Sequence, residues 1–299
     1  MKVVDLFSGA GGLSLGFERA GFDIVAAYEY WDKAVEIYKK NFKHIVHETD
    51  LSDFNNYDEI KSYHPDIIIG GPPCQDYSSA GLRNESLGRA DLTIKYAEII
   101  QNVLPNFFVM ENVALVEKSN AFQKAKKMLI DSDYGITSIV LDASRCGVPQ
   151  KRKRFFMIGE LHGTDGSITE NLTRNLSTSP MTVKDYLGDS INIEHYYRHP
   201  RNYNRRGIFS VHEPAPTIRG VNRPVPEGYK GHSADSAPLN ANLRALTTME
   251  RSYLQTFPEG FFNNTLPKTH LEQMIGNAVP VEMAHFVGNA LMDYLKEKE

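Results

Sequence analysis

The chain has 299 residues and a mass of 33.7 kDa, with a formal net charge of −4, 41% hydrophobic residues and 23% charged residues. These values are ordinary for a globular protein and exclude a disordered chain. No apolar run approaches the roughly 20 residues that a membrane span needs, and no signal-peptide pattern follows Met1, so we expect a cytoplasmic protein without membrane contact.

Short apolar runs alternate with helical patterns through the first 160 residues. Strands are predicted over residues 2–7, 23–28, 44–48, 66–70, 107–111, 137–142 and 154–159. Helical patterns fill the gaps between them, for example from Lys33 and from Ile94. This alternation predicts a doubly wound α/β fold with a mostly parallel sheet covered by helices on both faces.

The composition changes near Leu161, where Asn, Ser, Thr, Pro, Arg and His become frequent and the periodicity fades. The stretch is too long for an idle loop, so we predict a second, smaller domain over residues 166–269. A helical pattern returns at Val281 and is expected to dock on the first domain. The larger domain is therefore predicted to comprise residues 1–165 and 270–299.

The first strand runs into "DLFSGAGGLSLGF", whose glycines 9, 11, 12 and 16 allow sharp turns and close approach to a ligand. A glycine-rich turn at this place in such a sheet is typical of a nucleotide-cofactor cradle. The turn lacks the Lys-Ser/Thr of a P-loop and the GxGxxG spacing, which disfavours ATP and NAD. Glu29, at the end of the second strand, is placed to accept hydrogen bonds from ribose hydroxyls.

Five candidate residues lie at or just beyond the carboxyl ends of predicted strands, the edge where open α/β sheets bind ligands: Asp5, Glu29, Asp50, Cys74 and Glu111. Cys74, on the stiff turn "GGPPCQDYSS", is a candidate nucleophile, because a thiolate is strongly nucleophilic. Glu111 ends an apolar run and is expected either to hydrogen-bond or protonate a substrate ring nitrogen, or to form a structural ion pair.

The other cysteine, Cys146, has no comparable setting and is expected to be a small packed residue. No spaced metal-binding motif is present. His195 and His199 are four residues apart, but no cysteine or carboxylate cluster completes a site, so we expect no metal.

Six motifs, in order, resemble those of the cytosine-C5 DNA methyltransferases, particularly the compact bacterial enzymes of restriction-modification systems. They are "DLFSGAGGLSLGF", "GGPPCQDYS", "ENV", "GVPQKRKRFFMIG", "LRALTTMERSYLQTFP" and "QMIGNAVP". Only residues 161–243 are left without a matching motif. The resemblance implies S-adenosylmethionine as the cofactor and double-stranded DNA as the substrate.

The resemblance also assigns roles around the cofactor. Glu29 would hold the ribose, Tyr30 would pack on the adenine in competition with Trp31, and Asp50 with Leu51 would recognise the adenine. The remaining residues implied to line or border the cofactor site are Phe7, Gly9, Gly11, Gly12 and Asn277.

For catalysis, the resemblance implies that Cys74 attacks C6 of a cytosine flipped out of the duplex. Glu111 would hold the N3 and N4 edge of the base, while Arg152 and Arg154 would steady the base at O2. These two arginines are two residues apart on a predicted strand, so both would point to one face.

The smaller domain is expected to read the DNA. Between Arg198 and Lys230, seven basic residues face two glutamates, a local balance of 7 − 2 = +5. The residues predicted to contact DNA are Ser78 and Arg89, in the loop after Cys74, together with Arg205, Arg206, Arg219 and Arg223.

Two alternatives stay open on the sequence. A tRNA methyltransferase of the same fold would carry Cys-Phe-Thr after its Glu-Asn-Val block, which "ENVALVEKSNAF" lacks. A catalytically inactive DNA-binding relative would have no need of Cys74 together with Glu111. For the active enzyme we expect a monomer, with a cognate restriction endonuclease as a possible partner.

Overall fold

The computed structural model describes residues 1–73, 91–200, 205–239, 243–263 and 266–298. Its strands are β1 (Lys2–Leu6), β2 (Asp23–Glu29), β3 (Ile45–Glu48), β4 (Ile67–Gly70), β5 (Phe107–Val113), β6 (Tyr134–Asp142), β7 (Gln150–Lys151), β8 (Lys153–Leu161), β9 (His195–Tyr197), β10 (Ile208–Ser210) and β11 (Ala215–Pro216). Its α-helices are α1 (Gly12–Arg19), α2 (Asp32–Asn41), α3 (Tyr57–Ser62), α4 (Asp91–Val103), α5 (Asn120–Asp131), α6 (Thr169–Arg174), α7 (Val183–Leu187), α8 (Thr248–Leu254), α9 (Lys268–Asn277) and α10 (Val281–Lys298).

Seven strands form the main sheet in the order β3-β2-β1-β4-β5-β8-β6. Neighbours from β3 to β5 are parallel, whereas β8 runs antiparallel to both β5 and β6. The predicted doubly wound, mostly parallel fold is confirmed. Since the strand order changes direction between β1 and β4, the carboxyl ends of these strands open the crevice where such sheets bind ligands.

Both faces of the sheet are buried because consecutive side chains of the central strands, which point to opposite faces, are apolar. Val3 packs into a core with Phe17 of α1 and Val287 of α10. Val4, its neighbour on β1, points to the opposite face and packs with Tyr96 of α4 and Phe122 of α5. The sheet therefore lies between two helical layers, as the apolar runs of the sequence require.

The terminal helix α10 docks against α1, as expected from the sequence. Gly16 lies inside α1, where an added Cβ would come 2.3 Å from the Cβ of Ala284. The expectation that Gly16 belongs to the turn is therefore wrong, because its missing side chain serves helix packing. Arg19 and Glu282 close the same contact with an ion pair of 2.6 Å.

The described residues between 191 and 247 have little regular structure. Strands β9 and β10 pair antiparallel, and β11 pairs in parallel with β7. The carboxylate of Asp235 accepts hydrogen bonds from the backbone N–H groups of Gly207, Ile208 and His232 and from the Tyr229 hydroxyl, at 2.7–2.9 Å. Partly buried polar contacts of this kind order a segment that has little helical or strand structure.

Candidate functional site

The glycine-rich turn after β1 is built from left-handed backbone conformations. Phe7, Gly9 and Gly11 have φ values of 58°, 55° and 92°. For a bulky residue such as Phe7 this conformation costs about 1–3 kcal/mol and is typical of functional sites. A Cβ added to Gly9 would meet no atom within 4 Å among the described residues. The backbone at Gly9 is therefore open to a ligand.

Glu29, at the end of β2, fixes this turn. Its Oε2 accepts a hydrogen bond from the N–H of Gly9 and its Oε1 accepts one from the N–H of Trp31, both at 2.8 Å. Burial raises the pKa of Glu29, while these N–H groups oppose the increase. Each carboxylate oxygen keeps a further lone pair, so Glu29 can still accept from ligand hydroxyls.

The aromatic residues after Glu29 are placed differently. Tyr30 is 63% exposed, whereas Trp31 packs against the core and contacts His270 edge-on at 5.7 Å between ring centroids. The structure thus leaves Tyr30 more accessible for stacking than Trp31. Beyond β3, Asp50 is exposed and accepts from the N–H of Ser52 at 2.9 Å, and Leu51 is buried.

Asn277 is exposed at the end of α9. The chain just beyond it touches the first residue of α1, because a Cβ added to Gly12 would lie 2.3 Å from the carbonyl oxygen of Val279. The missing side chain of Gly12 therefore leaves room for this contact at the start of α1, and the contact places the Asn277 segment next to the glycine-rich turn.

Glu111 and Arg154 form the charged centre of a second group of residues at this sheet edge. Glu111 on β5 is 8% exposed, and its Oε1 lies 2.7 Å from Nε of Arg154 on the neighbouring strand β8. Burial raises the pKa of Glu111, while the positive charges of Arg154 and Arg152 act in the opposite direction. The pair combines a carboxyl that binds a proton more readily than usual with a guanidinium donor.

The segment leading to Cys74 runs beside this pair. A Cβ added to Gly71 would lie 3.3 Å from Oε2 of Glu111, and Nδ2 of Asn112 donates to the carbonyl oxygen of Pro72 at 3.1 Å. Glu111 and the Gly-Gly-Pro-Pro turn are therefore neighbours. Three residues with predicted roles in catalysis or DNA contact lie outside the described residues: Cys74, Ser78 and Arg89.

Arg152 differs from its expected placement. It lies at the break between β7 and β8 rather than on one strand with Arg154, and it is 1% exposed. Its guanidinium donates to the carbonyl oxygens of Ile218, Gly276 and Ala278 at 3.0–3.2 Å. The expectation that Arg152 contacts the base alongside Arg154 is revised accordingly, because both terminal nitrogens of its guanidinium donate to the protein backbone, while its buried Nε has no hydrogen-bond partner among the described residues.

The predicted DNA-contacting arginines of the described part fall into two groups. Arg205 and Arg223 are exposed. Arg206 instead forms a two-armed ion pair with Glu213 and stacks over Phe209 at 4.3 Å, and Arg219 donates to the carbonyl oxygen of His199 at 2.5 Å. Arg206 therefore has an internal role that the sequence did not indicate.

Comparison with known proteins identifies the family. Residues 1–293 match the family model described as C-5 cytosine-specific DNA methylase. The chain belongs to this family. The fold, the motifs and the match agree, so the predicted resemblance is confirmed and the protein is a DNA cytosine-C5 methyltransferase.

Curated relatives extend this result over the whole chain. The chain is 59% identical over 300 residues to the type II methyltransferase M.HindV of Haemophilus influenzae, covering 99% of this chain and 98% of that protein. It is 50% identical over 299 residues to the type II methyltransferase M.HgiDI of Herpetosiphon aurantiacus, covering 99% of this chain and 96% of that protein.

Solved structures support the fold alone. The Schizosaccharomyces pombe Dnmt2 methyltransferase superposes with a TM-score of 0.72 at 18% identity, over 99% of both chains. The Entamoeba histolytica methyltransferase EhMeth superposes with a TM-score of 0.71 at 22% identity, over 100% of this chain and 98% of that one.

Cys146 of the methylase is a core residue. Its side chain is 4% exposed, and burial raises the pKa of its thiol to about 12. The placement agrees with the small packed residue expected from the sequence. Among the residues that the structure describes, no three histidine, cysteine or carboxylate side chains cluster as metal ligands would, and no helix is long and apolar enough to cross a membrane.

Asp5 was expected at the ligand-binding edge, but it lies within β1, paired with Ala27 and Ile69, and is fully buried. Ser14 donates to Oδ2 of Asp5 at 2.5 Å, and Tyr38 joins Ser14 to His44 through contacts of 2.7 Å. The sequence offered no signal for this series of hydrogen bonds, because the residues that join Asp5 in it come from α1, α2 and the turn after α2.

Asp5 is expected to make the methylase less stable as the pH rises. Burial, aided by the charge of Glu29, raises its pKa from 3.8 to about 7. The folded state therefore holds more protons between these values, and the free energy of unfolding is expected to fall by roughly 4 kcal/mol across that window. Urea unfolding at pH 5 and pH 8, which bracket the raised pKa, is expected to show about 3 kcal/mol of this decrease. An Asp5→Asn variant that loses stability as steeply as the wild type would contradict this assignment.

Proposed function

We propose that the methylase transfers a methyl group from S-adenosylmethionine to C5 of a cytosine flipped out of double-stranded DNA, through a transient bond between Cys74 and C6. The observation that carries this proposal is the position of the Glu111–Arg154 pair. It lies beside the turn that leads to Cys74 and at the same sheet edge as the glycine-rich turn.

The cofactor cradle fits S-adenosylmethionine. The open backbone at Gly9 allows close approach, Glu29 has lone pairs for ribose hydroxyls, and exposed Tyr30 offers a ring for the adenine. The buried hydroxyl of Ser8 finds no hydrogen-bond partner among the described residues, as expected where a ligand or water completes a site. When bound, the cofactor supplies an electrophilic methyl group.

Glu111 and Arg154 suit the polar edge of cytosine. A carboxyl with a raised pKa can donate a proton towards N3 and accept a hydrogen bond from the N4 amino group. The guanidinium of Arg154 keeps Glu111 oriented and presents further N–H donors for O2. Both residues lie on paired strands of the sheet, which holds them rigidly.

The thiolate of Cys74 supplies covalent catalysis. Its addition to C6 breaks the C5–C6 double bond and moves electron density to C5, which is otherwise unreactive. After C5 is methylated, loss of the C5 proton and departure of the sulfur restore the ring. The target must leave the base stack, since its ring carbons cannot be reached within the duplex.

We assign DNA reading to residues 166–269 and catalysis to residues 1–165 and 270–299. The local charge balance of 7 − 2 = +5 between Arg198 and Lys230 favours contact with phosphates, and exposed Arg205 and Arg223 are available for it. In the cytoplasm of its host the enzyme would act as a monomer and protect DNA from a cognate endonuclease.

Expression in a bacterial host without cytosine methylation tests the proposal. Bisulfite sequencing of the host DNA is expected to find methylated cytosine in one short recurring sequence motif. A Cys74→Ala variant serves as the control and is expected to leave all cytosines unmodified. Unmodified DNA in cells that contain the folded wild-type protein would contradict the proposed activity and favour an inactive DNA-binding relative.

A further inference from the structure

The guanidinium of Arg152 joins three parts of the chain. Nη1 donates to the carbonyl oxygen of Ile218 at 3.1 Å. Nη2 donates to the carbonyl oxygens of Gly276 at 3.2 Å and Ala278 at 3.0 Å. Ile218 follows β11, whereas Gly276 and Ala278 form the end of α9. Arg152 therefore holds the recognition region against the helix that leads to the cofactor site.

Residues 217–222, which we call the crossing segment, are tied to the strand that precedes Arg152. Thr217 Oγ1 donates to the carbonyl oxygen of Lys151 at 2.7 Å. The N–H of Ile218 donates to Oε1 of Gln150 at 2.8 Å. The crossing segment thus starts from a fixed position on β7, at the two residues that directly precede Arg152.

The crossing segment then passes over α9 at backbone contact. A Cβ added to Gly276 would lie 2.2 Å from the backbone nitrogen of Gly220. Arg251, ion-paired with Glu272, donates to the carbonyl oxygen of Arg219, and Asn222 donates to Glu272 at 3.1 Å. Because the crossing segment and α9 are packed without a gap, a displacement at Arg152 must move the segment as a whole.

Three arginines lie on or next to the crossing segment. Arg198 donates to the carbonyl oxygen of Thr217 at 2.9 Å, and Arg219 donates to that of His199 at 2.5 Å. Exposed Arg223 follows directly. The orientation of these groups relative to Glu111 is set by the crossing segment.

We propose that Arg152 is a positioning residue that fixes the crossing segment relative to the Glu111–Arg154 pair, and that it does not touch the target cytosine. This inference rests on the proposed function. One planar guanidinium reaches three carbonyls, which a lysine ammonium cannot reproduce in the same geometry. Loss of these three hydrogen bonds misaligns the crossing segment with the pocket that holds the target base.

Duplexes with and without the target base separate positioning from contact. The probes are a duplex carrying the motif found by methylation mapping and the same duplex with an abasic site at the target cytosine. Arg152→Lys is expected to weaken binding to both by about tenfold, the effect of losing a buried hydrogen bond. Arg154→Lys, the matched control, is expected to weaken binding only to the duplex that contains the base.

A milder substitution in the same segment keeps the test valid if Arg152→Lys fails to fold. Thr217→Val removes only the hydrogen bond to Lys151 and is expected to weaken binding to both duplexes about threefold. Unchanged S-adenosylmethionine affinity and melting temperature would show that this variant is folded.

Two results would overturn the inference. The first is a loss of affinity in Arg152→Lys for the intact duplex but not for the abasic duplex, which is the result expected of a residue that contacts the base. The second is wild-type affinity of Arg152→Lys and Thr217→Val for both duplexes. Methylation mapping of the wild-type enzyme tests the proposed function separately, so the two failures are distinguishable.

Discussion

Replacing Glu111 by glutamine is expected to lower kcat for DNA methylation by about 100- to 10,000-fold, the usual contribution of a positioned acid or base. The amide keeps the shape of the side chain but cannot deliver a proton to N3. It also ends the 2.7 Å ion pair with Arg154. Methyl transfer at saturating DNA and cofactor measures the effect.

A second buried glutamate provides the control for Glu111. Glu160 is 7% exposed and lies on β8 of the same sheet, where it pairs with Lys298 and accepts from Tyr294 at 2.7 Å. Glu160→Gln is expected to leave kcat within about twofold, since Glu160 pairs with Phe107 at the far end of β5. A Glu111→Gln enzyme with wild-type kcat would contradict the role assigned to this carboxyl.

Glu272→Gln is expected to cost about 3–5 kcal/mol of unfolding free energy, because it removes one partner of a buried ion pair. Arg251 and Glu272 are 5% and 3% exposed, and Thr248 donates to Glu272 at 2.8 Å. Burial, with the charge of Arg219, lowers the pKa of Arg251 to about 10, so this side chain stays charged at neutral pH. Equilibrium unfolding in urea measures the loss.

A double substitution separates the ion pair from simple packing. Arg251→Met with Glu272→Met replaces the pair by apolar side chains and is expected to regain most of the lost stability. Asp131→Asn, which removes an exposed partner of Lys127, is the surface control and is expected to have no measurable effect. A fully stable Glu272→Gln variant would show that Arg251 finds sufficient partners in the carbonyls it contacts.

The sequence predicted the main sheet well because its strands are local apolar runs. All seven predicted strands are present, within a few residues of their predicted ends. The antiparallel direction of β8 was not predictable from such runs, because it depends on pairing with β5 and β6 across long chain separations.

The sites were less predictable where one residue depends on distant partners. The i, i+2 spacing of Arg152 and Arg154 suggested one face, but β7 pairs with β11 and the strand breaks at Arg152. Likewise, Arg206 was assigned to DNA because its charge is visible in the sequence, while its pairing with Glu213 depends on the fold of the recognition region. Charge and spacing indicate where chemistry is possible, but tertiary contacts decide which residues carry it.

Trapping on a modified duplex tests the central claim most directly. Fluorine at C5 of the target cytosine cannot leave as a proton does, so elimination of the Cys74 sulfur is blocked and the adduct persists. With S-adenosylmethionine present, mass spectrometry is expected to find a covalent complex for the wild type and for Cys146→Ala, but none for Cys74→Ser. An adduct that survives Cys74→Ser, or methyl transfer to ordinary duplex without any adduct on the fluorinated one, would contradict covalent catalysis by Cys74.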